Sequence, residues 1–262
     1  MYLWAGAMIV LSWLSIALAY PLGTIGMGYF LGSLSAQVTL AAAWAALGPT
    51  SPARRMILSI GWVLSLWGAV GITMSINSGP NEIMEMVVVG VLLLVQWLLV
   101  QLPLWGLALG LNVQLRHRDD THHDARAVEL RFSLRHLFII MSIAGLFLGI
   151  GRLVVPLIDL SGRREIPIFV FLAVAGVVMT FPLLVATLMQ RMALPCALLS
   201  LMFVGGATVA ELPLYQQLGG SRPAAGAFIA INTFTAIVVL SFAAAVRLNG
   251  FSLQRKPKPT DP

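Results

Sequence analysis

Charge is what this chain of 262 residues has least of: 10% of its residues are Asp, Glu, Lys or Arg, against roughly a quarter in an ordinary soluble domain. With 59% of the residues hydrophobic, a soluble globular protein is excluded, because so little polar surface cannot cover so much apolar volume. At about 20 residues per membrane helix the apolar fraction furnishes about seven or eight spans and leaves little over. Cysteine is nearly absent. The single Cys196 cannot form an internal disulfide or a thiolate zinc site, and reads as a small apolar packing residue.

The catalytic signatures are missing too. No histidine lies inside an apolar run, which argues against haem held between membrane helices and against an acyltransferase with a buried His base. No HExxH and no Gly-rich phosphate loop occur, so a helical zinc protease and a P-loop enzyme have no support. No Asp falls within an apolar run either, which removes a paired-aspartate intramembrane protease. These absences point away from an enzyme, and no cofactor is expected. The net charge of +6 does not indicate nucleic acid, since the basic residues sit between apolar runs rather than along one face.

What is there is a series of long apolar runs: 3–20, 25–47, 56–76, 86–111, 138–155, 168–189, 196–215 and 227–246. They are too continuous for the alternating segments of a membrane β-barrel, so the backbone must be satisfied within helices. The expected fold class is all-α: a multi-pass transmembrane helical protein of about eight spans. Turn residues separate the runs, among them Pro21-Leu22-Gly23, Gly48-Pro49-Thr50-Ser51-Pro52, Asn77-Ser78-Gly79-Pro80 and Pro195. The fourth run is long, and Pro103 is expected to kink it, with Trp105 onward toward the interface. Ala17-Leu18-Ala19 resembles a signal peptidase site, but no Lys or Arg precedes it. The first run is therefore read as an uncleaved helix, with seven spans if it is removed.

Lys and Arg are retained on the cytoplasmic side of a membrane. An eight-span arrangement with both termini inside puts twelve of the 16 basic residues there, including Arg54, Arg55, Arg116, Arg191, Arg247 and Arg255. Arg152, Arg163, Arg164 and Arg222 fall outside. The expected location is a cell inner membrane, with the lipid bilayer as the first partner and no nucleic acid.

Aromatic composition divides the chain: all seven Trp lie between Trp4 and Trp105, and eleven of the twelve Phe from Phe132 onward. The expected organisation is an N-terminal four-helix half (1–115), a charged connector and interfacial segment (116–137), a C-terminal four-helix half (138–249) and a disordered basic tail (250–262). The connector holds all four histidines. Imidazoles and carboxylates at His117, Asp119, Asp120, His122, His123 and Asp124 are metal-competent types, yet neighbours in a loop without a scaffold do not converge on one ion. The segment reads as a solvated linker, and no metal is expected.

Arg131-Phe132-Ser133-Leu134-Arg135-His136-Leu137-Phe138, followed by a small apolar run to Gly151, resembles a recurring segment of uncharacterised planctomycete multi-pass membrane proteins. Gln37 to Pro49 is similar to a second segment of such proteins. The resemblance covers a minor part of the chain; it implies an inner-membrane location and transfers no catalytic residue. By spacing alone, Arg131 and Arg135 share a helical face from which both could contact lipid phosphates, with Phe132, Leu134, Leu137 and Phe138 turned to the acyl boundary.

Polar groups within the runs are the candidate functional residues, because the bilayer gives them no partner. Glu211 is the sole acid inside a run, with Pro213 after it and Gly205-Gly206 before it. It is a headgroup-level residue, or the coupling carboxylate of a carrier whose helix is broken at Pro213. Gln37, Gln96, Gln101 and Asn232 are expected to bond between helices, and Gln37, Gln96 and Asn232 join Glu211 as the possible transport or polar site. Gly28 with Gly32, and Gly145 with Gly149, are small-residue pairs that allow helix pairing or a dimer. The leading expectation is a non-enzymatic membrane component or complex subunit, with a small-solute or lipid carrier as the alternative. The topology is testable: in a Cys196→Ser background, cysteines at Ser78 and Thr121 should label from opposite sides with an impermeant reagent, and labelling from one side would refute it.

Overall fold

The structure is a computed structural model, and the residues it describes are 10, 23–78, 83–110, 113–117, 175–178, 180, 184, 193–217 and 225–255. Five long helices account for most of them: α1 (Gly23–Leu47), α2 (Pro52–Ser78), α3 (Ile83–Gly110), α4 (Ala193–Gln217) and α5 (Ala225–Leu248). Residues 175–178, 180 and 184 are helical as well. Two short strands, β1 (Val113–His117) and β2 (Phe251–Arg255), complete the set. Among the described residues, four helices are long and apolar enough to cross a membrane, within α1, α2, α3 and α5. The protein is thus a helical, multi-pass type of membrane chain. The expected fifth run, and the first run apart from Val10, lie outside the described residues.

The central element is α1. Of Gly28–Leu47, 72% is buried, against 33% of Pro52–Ile72 in α2. The sequence explains this: α1 is largely Gly, Ala, Ser and Leu with no charge on any face, and a helix without a charged face is one that neighbours can surround. It packs against α2, α3 and α5. The other helices turn large apolar side chains outward, such as Ile57 and Ile72 on α2, Leu98 and Leu102 on α3 and Ile229 and Ile237 on α5, as a hydrocarbon solvent allows.

The Gly28–Gly32 pair works within the chain. A Cβ at Gly28 would come 2.7 Å from the Ala230 Cβ, and one at Gly32 2.6 Å from the Ile231 carbonyl oxygen, so the backbones of α1 and α5 meet where neither glycine could carry a side chain. Thr235 Oγ1 donates to the Gly32 carbonyl at 3.0 Å, and the Tyr29 and Phe234 rings meet edge to face at 4.8 Å. As α1 advances from residue 28 to 32, its contacts on α5 advance from 230 to 235, so the two helices run parallel. Gly145 and Gly149 lie outside the described residues.

Opposite α5, a relay ties the N-terminal helices together. Trp97 Nε1 on α3 donates to Ser59 Oγ on α2 at 2.7 Å, and Ser59 Oγ donates to the Ala41 carbonyl on α1 at 2.9 Å. The turn from α1 into α2 is closed by Arg55, whose Nη1 donates to the carbonyls of Ala46, at 3.3 Å, and Gly48. A cation there also complements the negative end of the α1 dipole.

Three features of the structure bear on the sequence expectations. The connector and tail contribute secondary structure: β1 takes in Arg116 and His117, and β2 occupies 251–255 of the tail expected to be disordered from 250. The strands pair antiparallel, with Leu115 opposite Leu253, and both leucines pack on the core; that apolar pair gives the charged segments something to bury. Gly250 permits the turn from α5 into β2 with φ 80, a left-handed conformation that favours glycine. The division at the connector does not divide the core, since α1 and α5, from its two sides, pack on each other. Both prolines inside helices are carried through: α3 continues past Pro103 to Gly110, and α4 past Pro213 to Gln217, so α4 is not broken at Pro213.

Because β1 follows α3 and β2 follows α5, the ribbon fixes the C-terminal ends of these helices at one end of the bundle, with the α1–α2 turn. Positions Arg54, Arg55, Arg116, Arg247 and Arg255 all fall at that end. The packing yields a contrast: Gly32→Ala should destabilise the protein by about 1–3 kcal/mol through overpacking. Gly61, with nothing within 4 Å of an added Cβ, should accept Ala without loss. Thermal unfolding midpoints in detergent measure both.

Candidate functional site

Two separate sets can be distinguished among the described interior polar side chains, and they share no residue. The first lies at mid-helix, where α3 faces α1. Gln96, at the midpoint of α3 and buried, donates from Nε2 to Ser35 Oγ at 2.8 Å and to the Ser35 carbonyl at 3.1 Å, with Thr39 Oγ1 at 3.4 Å. Thr39 Oγ1 donates to the Ser35 carbonyl at 2.9 Å and lies 3.3 Å from Thr180 Oγ1, which donates to the Gly176 carbonyl at 2.6 Å. Gly176 has a steric reason to be glycine: its Cβ would stand 3.1 Å from Gln96 Nε2 and 3.2 Å from Ser35 Oγ. One amide thus binds α3 to α1, with a third helical segment closing over them.

Gln37 belongs to another face of α1. Its Nε2 donates to Ser33 Oγ one turn back, at 3.2 Å. Gln101 is also buried; Trp105 Nε1 donates to its Oε1 at 3.3 Å, while its own Nε2 has no partner among the described residues.

The second set joins α4 to α5. Asn232 Nδ2 donates to Glu211 Oε2 at 2.7 Å and to Thr208 Oγ1 at 2.9 Å, and Thr208 donates to the Val204 carbonyl at 2.7 Å. Glu211 is 4% exposed and Asn232 7%. Glu211 stands six residues from the end of α4, about 9 Å along the axis, and the edge-to-face pair Tyr215–Phe228 at 5.2 Å closes the interface beyond it. The carboxylate is therefore enclosed between two helices.

Of the four residues grouped from the sequence, the structure brings Glu211 and Asn232 into direct contact. It places the other two elsewhere, Gln96 on α3 against one face of α1 and Gln37 on another face of α1. Arg131, Arg135 and the histidines beyond His117 lie outside the described residues. Sequence reasoning passed over Ser35, Thr39, Thr180 and Thr208, which complete the two sets. A signal existed for α1, since Ser33 with Gln37 and Ser35 with Thr39 each repeat at i, i+4 and so mark two polar stripes. Chemically, the Glu211 set offers one ionisable group held by an amide, from which a hydroxyl accepts in turn; the carboxyl can exchange a proton or accept a cation. The Gln96 set is wholly neutral. Comparison with protein families, with curated proteins and with solved structures gives no match, so the chemistry of these side chains carries the functional argument alone.

A double-mutant cycle on Glu211 and Asn232 checks the second set. Asn232→Ala should destabilise by about 1–3 kcal/mol by leaving a buried acceptor unpaired, whereas Glu211→Gln, which keeps an acceptor oxygen, should cost less. Replacing both by Leu should recover part of the Asn232→Ala loss. If the Asn232→Ala, Glu211→Gln double variant loses as much stability in detergent unfolding as the sum of the two single losses, the pair does not interact.

Proposed function

We propose that this chain is a non-enzymatic component of a cell inner membrane, about eight spans in all, acting as a subunit of a membrane assembly with both termini in the cytoplasm. The observation that carries the reading is that the buried amides and hydroxyls of the described helices are spent mainly on one another. Gln96 holds α3 to α1, Ser59 and Trp97 hold α2 and α3 to it, and Asn232 holds α4 to α5. This is the use of polar groups that helix packing in lipid makes of them. The orientation follows from the positive-inside rule, with Arg54, Arg55, Arg116, Arg247 and Arg255 at one end of the bundle. The likeness of the Arg131–Phe138 segment to planctomycete membrane proteins supports the same location.

A second reading is favoured by one specific observation, the enclosure of Glu211 with Asn232 and Thr208. An ionisable side chain held inside a helix bundle is a candidate coupling group for a small-solute or lipid carrier. The readings separate on one experiment: crosslinking in native membranes, gentle detergent extraction and mass spectrometry of everything retained. A stoichiometric protein partner is the expected result. A bound solute or lipid without any protein partner, released by Glu211→Gln, would replace the assembly reading with the carrier.

A further inference from the structure

The turn between α1 and α2 holds polar groups that the fold itself does not use. Two of its buried atoms, Arg55 Nε and Thr50 Oγ1, have no hydrogen-bond partner among the described residues. Arg55 is 6% exposed, and its Nη1 is committed to the end of α1 through Ala46 and Gly48. A Cβ at Gly48 would lie 2.9 Å from Arg55 Cδ. The side chain therefore crosses the start of the turn at Gly48. A desolvated guanidinium N–H left unmade is costly, and helix capping alone does not require it.

The backbone adds to this set. Helix α2 opens on Pro52, which has no N–H, and the first helical hydrogen bond is from the Arg55 N–H to the Ser51 carbonyl at 3.1 Å. The N–H groups of Ala53 and Arg54 thus face out of the N-terminal end of a 27-residue helix with no acceptor in the preceding turn. An anion is favoured there by these groups and by the helix dipole. Arg54 is exposed and supplies a second full positive charge, and no acid occurs from Gly48 to Asn81 to neutralise either arginine. The apolar stretch Pro52–Ile72 begins at the same place, so the turn lies at the level where lipid phosphates sit.

We propose that the α1–α2 turn binds a phosphate group, contacted by Arg55, Thr50, Arg54 and the N-terminal amides of α2. Several acceptor oxygens on one tetrahedral centre match a guanidinium N–H, a hydroxyl and two amides better than a single carboxylate does. An anionic phospholipid headgroup and free phosphate share this chemistry.

The test uses the full chain purified in detergent, with native mass spectrometry during titration by phosphatidylglycerol in one arm and by inorganic phosphate in the other. Thr50→Val combined with Arg54→Gln leaves the Arg55 cap in place, so its unfolding midpoint should match the wild type. Its affinity for the ligand should fall roughly fivefold or more, as expected for the loss of a charged and a hydroxyl contact. Arg55→Lys, which keeps a cation for the α1 carbonyls but has no Nε, should weaken binding likewise. Binding of phosphatidylglycerol that inorganic phosphate does not displace identifies a lipid headgroup, and displacement by phosphate identifies the free ion. Wild-type and variant proteins that bind equally, or no saturable binding in either arm, would overturn the proposal and leave Arg55 as a helix cap only.

Discussion

Inside a bilayer the lipid tails are as apolar as leucine, so burying apolar surface gives no reason for one helix to seek another. What holds a bundle together is close van der Waals contact and the few hydrogen bonds that polar side chains make between helices. Both depend here on how near the neighbours of α1 can come. At Gly28 and Gly32 the backbone of α5 is so close that no Cβ fits, and the alanines of 41–46 keep the rest of α1 narrow. Each contact is worth little alone, and many at optimal separation add up. With α1 enclosed, the positions of α2, α3 and α5 follow from the surface it presents.

The same enclosure decides the fate of polar groups. A hydroxyl or amide on α1 has no water to turn to and must be met by a neighbour, so Ser35 and Thr39 meet Gln96 and Thr180, and the Ala41 carbonyl receives Ser59. At the end of α1 a charged group takes over. Arg55 reaches back to the carbonyls that the helix leaves open, and the chain enters α2 beneath it. Away from α1 the Glu211–Asn232 pair does comparable work between α4 and α5, with the difference that one partner can change its charge.

Much of this was legible in the residues. The continuous apolar runs of α1, α2, α3 and α5 set helix class and approximate boundaries, since a lipid-facing helix must be apolar over its length. Glu211 and Asn232 were recognisable as unusual within such runs, but their contact was not, because 21 residues separate them and pairing depends on how two helices are rotated about their axes. Periodicity also could not show that Gly28 and Gly32 would meet α5 rather than a second copy of the chain. The ribbon escaped notice because its strands are short, charged and far apart in sequence, with Leu115 and Leu253 giving an inward face among the described side chains. Pro213 suggested a broken helix, yet it lies near the end of α4, where the loss of one N–H is readily accommodated.

The central claim is that α5 lies parallel against α1 within one chain, and it can be measured directly. In a Cys196→Ser background, Tyr29 and Phe234, whose rings touch in the structure, are each replaced by cysteine and treated in native membranes with a short bifunctional thiol reagent. The account predicts efficient crosslinking within monomers, with no product from either single-cysteine variant. Failure to crosslink, or crosslinks that appear only between two chains, would contradict the α1–α5 packing from which the rest of the fold is built.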